Sequence, residues 1–296
     1  MKNLVKKAVI PVAGMGSRFL PMTLSVSKEM FPIIDVPVLL LILKECADSG
    51  IKEVMLIIRK EKRDIKKFFT QPESVIKQYE DKGRGSELIL YKDILKKLKI
   101  TFRYQRQDLI GTGGAIYVAK KWCNGEPFAV LYGDDINYTE EGERPVIGQL
   151  IDTYNKYQKL VMGCKEVAKD EIAMYGSCKL DGELSPGVYK SHGVIEKPAP
   201  GTEPSLVASL ARYILPGDAF RYLERKINCE RDITKEVNLT DDCLEVVLRE
   251  QGGFAQIMKS ERFDTGSKLG YLKCIAYYGV HDKRFGKEFK DYLKTL

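Results

Sequence analysis

Short apolar runs alternate with longer amphipathic ones along the first half of the chain. The short runs have the length and composition of buried strands, and the longer ones repeat apolar positions at helical spacing. Strands that alternate with helices predict right-handed crossover units, hence an α/β fold with a doubly wound, mostly parallel or mixed sheet and helices on both faces. The predicted strands are residues 8–13, 53–58, 101–105 and 127–132, and the predicted helices are residues 38–47, opened by Pro37 and stopped by Gly50, and residues 113–122.

The second half of the chain has a less regular pattern but no linker of low complexity, so we expect a single domain over residues 1–296. Residues 70–99 show no clear period, and we hypothesise that they carry subunit contacts. The predicted strands of this half are residues 160–164, a pair within 179–195, and 207–215, and its predicted helices are residues 146–159, 239–249 and 268–280.

Composition excludes several classes of protein. No apolar run approaches the ~20 residues that span a bilayer, and the N-terminus lacks a signal-peptide core, so we expect a cytoplasmic protein without membrane contact. Seven scattered cysteines without a Cys-x-x-Cys pair indicate reduced, buried thiols. Only two histidines are present, His192 and His281. The sequence therefore does not favour a reaction that needs an imidazole base or a histidine-rich metal site.

The formal net charge of +7 is a modest excess that suits an anionic substrate. The densest basic run, residues 59–67, is interrupted by acids and is typical of the solvated face of a helix. We therefore expect no nucleic acid as a partner.

A glycine-rich turn follows the first predicted strand. Ala13, Gly14 and Gly16 allow the backbone to approach a phosphate chain, and Arg18 and Lys28 come shortly afterwards. The turn lacks the third glycine of a dinucleotide fingerprint and the Gly-Lys-Ser/Thr of a Walker loop. A tight turn without ligand is the alternative, but two cations beside one loop favour an anion between them.

Acidic residues stand at the ends of other strands. Asp134 and Asp135 follow the strand at 127–132, where adjacent exposed carboxylates repel each other unless a cation compensates. Asp264 precedes a glycine late in the chain, and Glu196 and Lys197 follow another apolar strand. A turn with solvated acids is the alternative for the first pair, and an exposed strand end is the alternative for the last.

The order and spacing of these motifs resemble the bacterial UTP–glucose-1-phosphate uridylyltransferase family, also called UDP-glucose pyrophosphorylase. The resemblance covers most of the chain. It rests on the glycine loop with Lys28-Glu29-Met30-Phe31-Pro32-Ile33, on residues 125–136, on Glu196-Lys197-Pro198, on Arg212-Tyr213-Ile214-Leu215, on Leu239-Thr240-Asp241, and on Asp264-Thr265-Gly266 through Lys273.

The resemblance implies a fold of the sugar-nucleotidyltransferase type with a nucleotide-binding half at about 1–145 and a sugar-binding half at about 146–296. It also implies a homodimer or homotetramer. Mg²⁺ would be the cofactor, held by Asp134 and Asp264. Catalytic roles would fall to Arg18, Lys28 and Lys197. The implied nucleotide-binding residues are Ala13, Gly14, Gly16, Gln107 and Gly111, and the implied sugar-binding residues are Gly176, Glu196 and Lys197.

The implied reaction joins UTP to glucose 1-phosphate and releases pyrophosphate. The phosphate oxygen of the sugar phosphate attacks the α-phosphorus in line, which needs no general base and fits the scarcity of histidine. Two alternatives stay open. One is a glucose-1-phosphate thymidylyl- or cytidylyltransferase, and the other is a non-catalytic regulatory paralogue that binds sugar nucleotides.

Several positions depart from the family's usual pattern, among them Ser25-Val26-Ser27, which replaces the usual Ala-Ile-Pro before Lys28. Gly114 stands where histidine is usual, Tyr132 where leucine is common, and Ser267 where a second aspartate is frequent. Gln107 lies one residue closer to Gly111 than usual. None of these departures removes an implied metal ligand or triphosphate cation, but they bear on base selectivity.

Overall fold

The structure, a computed structural model, describes residues 4–229 and 236–296. Its strands are β1 (Lys7–Pro11), β2 (Pro32–Ile33), β3 (Val36–Pro37), β4 (Glu53–Ile58), β5 (Lys99–Tyr104), β6 (Phe128–Leu131), β7 (Asp135–Tyr138), β8 (Leu160–Glu166), β9 (Gly176–Ser185), β10 (Val188–Glu196), β11 (Val207–Leu215), β12 (Gly253–Ile257) and β13 (Glu261–Asp264). Its α-helices are α1 (Val38–Asp48), α2 (Arg63–Phe69), α3 (Glu73–Asp81), α4 (Ile89–Lys97), α5 (Gly111–Tyr117), α6 (Lys120–Cys123), α7 (Val146–Tyr157), α8 (Phe220–Cys229), α9 (Glu245–Gln251), α10 (Lys268–His281) and α11 (Gly286–Leu293).

One nine-stranded sheet runs through both halves of the chain in the order β5-β4-β1-β6-β11-β8-β12-β10-β9. Strands β5, β4, β1 and β6 pair in parallel, as crossover connections through helices require. Strand β11 then pairs antiparallel with both β6 and β8, and β9 and β10 form an antiparallel hairpin. The predicted α/β fold with a mixed sheet is confirmed, and its parallel pairing is concentrated in the first half.

The two faces of the sheet carry separate apolar cores because strand side chains alternate in direction. In β1, Ala8 and Ile10 belong to the core under α1, α4 and α7, whereas Val9 belongs to the core under α5, α6, α8 and α9. Helices therefore cover both faces, and the ends of the strands are left as the place where loops can bind a ligand.

Several element boundaries differ from the sequence predictions. Pro37 lies just before α1 and in β3 rather than at the first helical position. The helix predicted at 113–122 is two short helices, α5 and α6. Residues 70–99 contain α3 and α4, and α4 packs into the core through Tyr91 and Ile94. The sequence shows no helical repeat of apolar residues here because α3 has no buried residue and α4 has only these two.

The predicted thiol state is confirmed for the six cysteines whose side chains are described, all of which are free and buried. Cys229 has a side chain outside the described part. Across residues 4–229 and 236–296, the helices all fall short of the length and apolarity that a membrane crossing needs.

Candidate active site

The glycine-rich turn after β1 is held by tight local packing. Gly16 has a φ of 70°, and a Cβ there would come within 2.9 Å of Thr23 Cγ2, so only glycine fits without strain. The next residues form a 3₁₀ turn, Ser17–Phe19, in which Arg18 is exposed. Phe19 packs edge-on against Phe31, with 5.1 Å between ring centroids.

Asp134 and Asp264 converge although they lie far apart in sequence. Strands β7 and β13 pair antiparallel, and Thr265 donates both its backbone N–H and its hydroxyl to the carbonyl oxygen of Asp134, at 2.9 and 2.8 Å. A Cβ on Gly266 would lie 2.5 Å from Asp134 Oδ2 and 3.0 Å from Asp264 Oδ1. The two carboxylates thus face one point that glycine leaves open.

This pair of carboxylates fits a hard divalent cation. Mg²⁺ takes one or two protein carboxylates and completes its shell with water and phosphate oxygens. In the described part of the chain, groups of three or more histidine, cysteine or acidic side chains suited to a metal are absent. A fully protein-made metal cage is therefore not the design of this site, and a cation shared with a phosphate ligand suits it.

Two cations flank the carboxylates. Lys28 Nζ contacts Asp134 Oδ2, and Arg18 Nη1 donates to the carbonyl oxygen of Gly266 at 3.3 Å. Burial lowers the pKa of Lys28, but the charge of Asp134 opposes this and leaves the pKa raised above its ordinary value. Lys28 therefore keeps its positive charge throughout the physiological range.

Asp135 has a different environment from its neighbour Asp134. It is 3% exposed, and Oδ2 accepts from Arg262 Nε at 2.7 Å and pairs with Nη2 at 2.6 Å. The fully buried Arg212 donates to the Asp135 carbonyl oxygen at 2.7 Å and pairs with Glu45 at 2.8 Å. The expectation of two adjacent exposed carboxylates is wrong for Asp135, because two arginines compensate its charge within the fold.

A cavity of about 500 Å³ opens beside these groups at the carboxyl ends of β1, β4 and β6. It brings together six of the residues that the sequence singled out, which come from four separate stretches of chain. These six lining residues are Ala13, Gly14, Lys28, Gln107, Gly111 and Asp134. Gly16, Arg18 and Asp264 do not line the cavity, but they lie beside the glycine-rich turn and the two facing carboxylates.

The far wall of the cavity is the loop between β5 and α5. Gln105 donates its side-chain amide to the carbonyl oxygens of Leu109 and Gly111, at 2.8 and 3.3 Å, whereas Gln107 is exposed at the cavity. Val237 contacts the same loop, and its backbone N–H donates to the carbonyl oxygen of Ile110 at 2.9 Å. The loop is thus fixed by backbone contacts, and Gln107 is free to contact a ligand.

The predicted sugar-side residues meet at the end of the β9–β10 hairpin. Gly176 pairs with Glu196 across the hairpin, and a Cβ on Gly176 would lie 3.4 Å from Glu196 Oε2. Lys197 follows with a φ of 45°, donates its backbone N–H to Tyr175 at 3.0 Å, and exposes its side chain. Burial raises the pKa of the Tyr132 phenol at the cavity wall, and the charges of Glu196 and Asp134 raise it further.

The structure shows the local role of two of the positions that depart from the family pattern. A Cβ on Gly114 would lie 2.8 Å from the Leu109 carbonyl oxygen, so this chain packs its cavity loop directly onto a glycine. Ser267 is the N-cap of α10, and its hydroxyl accepts from the Gly270 N–H at 3.1 Å. Ser267 thus caps the helix that begins two residues after Gly266.

One buried ion pair beneath the cavity was missed from the sequence. Glu29 is 1% exposed and pairs with Lys62 at 2.6 Å, although Lys62 belongs to the basic run expected to face solvent. That expectation is wrong for Lys62, since α2 begins only at Arg63 and Lys62 turns inward. Burial raises the pKa of Glu29, an effect that the charge of Lys62 opposes. In the sequence, the alternation of acids and bases in this run was the only feature that bears on Lys62, and it is compatible with a side chain that faces either the solvent or the interior.

Comparison with known proteins decides the family. The family described as nucleotidyl transferase matches residues 7–279. The UTP–glucose-1-phosphate uridylyltransferase of Staphylococcus epidermidis is 35% identical over 299 residues, which cover 99% of this chain and 98% of that protein. The chain belongs to the UTP–glucose-1-phosphate uridylyltransferase family.

Solved structures of this uridylyltransferase family agree with the fold. A UDP-glucose pyrophosphorylase complexed with UDP-glucose has a TM-score of 0.83 and 30% identity, covering 94% of this chain and 100% of that one. A UTP-bound enzyme of the same kind from Acinetobacter baumannii has a TM-score of 0.87 and 28% identity, covering 99% of each chain. The family membership implied by the order of the motifs is thereby confirmed.

Proposed function

We propose that this uridylyltransferase-family protein joins UTP to glucose 1-phosphate, forming UDP-glucose and pyrophosphate with the help of Mg²⁺. The observation that carries the proposal is the convergence of Asp134, Asp264 and Lys28 beside a glycine-rich phosphate loop, at the edge of a cavity. Full-length relatives are named for this reaction, and solved relatives hold UTP or UDP-glucose.

In this proposal the cavity takes the nucleotide. The backbone around Ala13, Gly14 and Gly16 cradles the phosphates, and Gln107 and Gly111 contact the uridine. The 500 Å³ volume is within the range of small-molecule sites, and its walls come from the parallel half of the sheet. In this proposal residues 1–145 are the nucleotide-binding half of one domain.

The sugar phosphate is proposed to bind between the cavity and the β9–β10 hairpin, in the half of the domain formed by residues 146–296. Glu196 accepts from hydroxyls of the glucose, and the backbone of Gly176 lies close to the ring because no side chain intervenes. Lys197 reaches the sugar phosphate from its exposed position. These contacts hold the phosphate oxygen of the sugar in line with the α-phosphorus.

The reaction then needs one bond to form and one to break. The sugar phosphate oxygen forms a bond to the α-phosphorus of UTP, and the bond from that phosphorus to the oxygen leading to the β-phosphate breaks. When bound at Asp134 and Asp264, Mg²⁺ supplies positive charge to the phosphate oxygens. Lys28 and Arg18 neutralise charge on the departing pyrophosphate, and the attacking phosphate monoester needs no proton removed.

The proposal is tested by pyrophosphate release from glucose 1-phosphate with Mg²⁺, comparing UTP, dTTP, CTP and ATP. We expect release with UTP, loss of it in Asp134→Ala, and retention of it in Asp170→Ala, which removes an exposed aspartate that does not line the cavity. A preference for dTTP or CTP would assign the chain to a thymidylyl- or cytidylyltransferase. No release with any nucleotide would favour a regulatory paralogue.

We also propose a cytoplasmic homodimer or homotetramer, as the family resemblance implies. Leu269 and Leu272 on α10 are 63% and 62% exposed, which leaves apolar surface suited to a subunit contact. Light scattering after gel filtration measures the mass of the assembly, and a monomer at micromolar concentration would contradict the proposal.

A further inference from the structure

Lys28, the cation that contacts Asp134, directly follows one of the positions at which this chain departs from the family pattern. Ser27 stands where the family usually has proline. Its backbone φ is −60° and its ψ is 136°, and this φ is the one that a proline ring would impose. A serine has no ring to hold that angle, so another contact has to select this conformation.

Asp64 supplies that contact. Its Oδ2 accepts from the backbone N–H of Ser27 at 2.6 Å, and its Oδ1 accepts from the Ser27 hydroxyl at 2.7 Å. A proline could make neither bond, because it has no N–H and no hydroxyl. Ser27 is only 7% exposed, so its two donors are largely removed from water and one carboxylate satisfies both of them. The pair of bonds fixes the orientation of the residue immediately before Lys28.

The same stretch of chain also holds the residue on the other side of Lys28. Glu29 pairs with Lys62 at 2.6 Å, and Lys62 lies at the start of α2, two residues before Asp64. The 3₁₀ turn Lys28–Met30 is therefore attached to the start of α2 by one contact before the lysine and one after it. With both neighbours held, the backbone from which the lysine side chain extends has a defined position.

The contact between Ser27 and Asp64 lies outside the cavity wall. Lys28 and Asp134 line the cavity, whereas Ser27 and Asp64 line a neighbouring hollow and do not line the cavity itself. A nucleotide in the cavity would therefore meet Lys28 but not Asp64. Any effect of Asp64 on the reaction has to pass through the turn that carries the lysine.

We propose that Asp64 is a positioning residue for Lys28, and that its contact with Ser27 replaces the constraint that proline usually provides in the family. The inference rests on the proposed function, in which Lys28 neutralises charge on the departing pyrophosphate. A displaced lysine stabilises the leaving group less, so loss of the contact lowers kcat more than it raises KM for UTP.

The first test measures kcat and KM for UTP in pyrophosphate release. Asp64→Ala should lower kcat roughly 10-fold, the worth of hydrogen bonds to a charged acceptor, and should change KM less than about 3-fold. Adding Ser27→Pro to this variant should restore most of the lost rate, because proline sets the same φ and leaves no N–H or hydroxyl unpaired. Glu183→Ala is the matched control and should keep the wild-type kcat, since it removes a carboxylate that accepts from the Gly187 N–H at 2.7 Å in the turn between β9 and β10.

A double-mutant cycle shows whether Asp64 acts through Lys28. In the Lys28→Met background, Asp64→Ala should cause little further loss of rate, because no cation remains to be positioned. Three outcomes would each overturn the proposal: a wild-type kcat in Asp64→Ala, no recovery of rate on adding Ser27→Pro, or an undiminished loss in the Lys28→Met background.

A second readout needs neither substrate nor turnover. Acetylation of lysine amines by a trace of acetic anhydride, followed by mass spectrometry, measures how accessible the Nζ of Lys28 is. The Lys28 side chain is 15% exposed. Its labelling should rise at least about 3-fold in Asp64→Ala and fall back when Ser27→Pro is added.

Lys7 serves as the internal control for this labelling, since it is 8% exposed and its Nζ donates to the Trp122 carbonyl oxygen at 3.0 Å. Its labelling should stay unchanged. If Lys28 responds in this way in a protein that releases no pyrophosphate, the positioning by Asp64 is supported and only the proposed function fails. Unchanged labelling of Lys28, or an equal rise at Lys7, would overturn the positioning.

Discussion

The two adjacent aspartates that follow β6 should respond differently to the same substitution, one with a loss of activity and the other with a loss of stability. Asp134→Asn removes a carboxylate that faces the Gly266 corner, whereas Asp135→Asn removes the charge that compensates Arg212 and Arg262. The two changes are identical chemically and one residue apart. Any difference between the variants therefore reports the environments of the two side chains.

The expected size of the Asp135 effect follows from its burial. The side chains of Asp135 and Arg212 are 4% and 0% exposed, and that of Arg262 is 14% exposed. Removing one partner from a buried ion pair costs about 3–5 kcal/mol, and asparagine keeps one oxygen to accept a hydrogen bond. We therefore expect a loss of about 3 kcal/mol in the free energy of unfolding, or roughly 6 °C in Tm for a chain of this size.

The expected effect of Asp134→Asn falls on activity. The Asp134 side chain is 27% exposed, so its contact with Lys28 is partly screened and its loss should change stability by less than about 1 kcal/mol. Its loss should lower the rate on the order of 10²–10³-fold and raise the Mg²⁺ concentration needed for half-maximal activity.

Urea and thermal unfolding by circular dichroism, followed by Mg²⁺ titration of pyrophosphate release, separate the two roles. Asp135→Asn should keep the wild-type Mg²⁺ dependence once it is assayed well below its Tm. The assignment of Asp135 to the arginine network would be refuted if Asp135→Asn were as stable as the wild type but needed more Mg²⁺ for half-maximal activity.

Three further changes test the site from other sides. Lys28→Met should lower the rate on the order of 10²–10³-fold. Because the pKa of Lys28 is raised, the stabilisation from its contact with Asp134 is fully present below the ordinary pKa of 10.5 and is lost as the pH rises above that value. The loss of unfolding free energy that this variant shows in urea should therefore be constant between about pH 7 and pH 10. Gly266→Ala places a methyl 2.5 Å from Asp134 Oδ2 and should weaken Mg²⁺ activation about 10-fold. An unchanged Mg²⁺ titration would contradict binding of the metal beside Gly266. Ser267→Ala removes the cap of α10 and should cost about 1 kcal/mol in unfolding free energy; Ser267→Asp should restore most of it, and failure of both effects would argue against the cap.

Much of the site could be predicted because its parts lie at the ends of strands that local pattern reveals. The glycine turn after β1 and the aspartates after β6 follow apolar runs, and parallel strands bring their carboxyl ends to one edge. The order of the motifs added Asp264, Gly176 and Glu196, whose own surroundings in sequence carry no distinctive chemistry.

Residues that were missed or misread depend on contacts distant in sequence. Asp134 and Asp135 are indistinguishable as a dipeptide, and only the passage of β11 beside β6 places Arg212 beneath Asp135. Lys62 is likewise buried by Glu29, 33 residues earlier in the chain.

The sequence by itself determined the alternation of strands and helices, the glycine loop and the supply of acids and cations, because these depend on neighbours a few residues apart. The tertiary structure alone decided which carboxylates face one another and which are neutralised inside the fold. Charge compensation and hydrogen-bond direction depend on groups brought together across the sheet, and no local pattern records which strands will be neighbours.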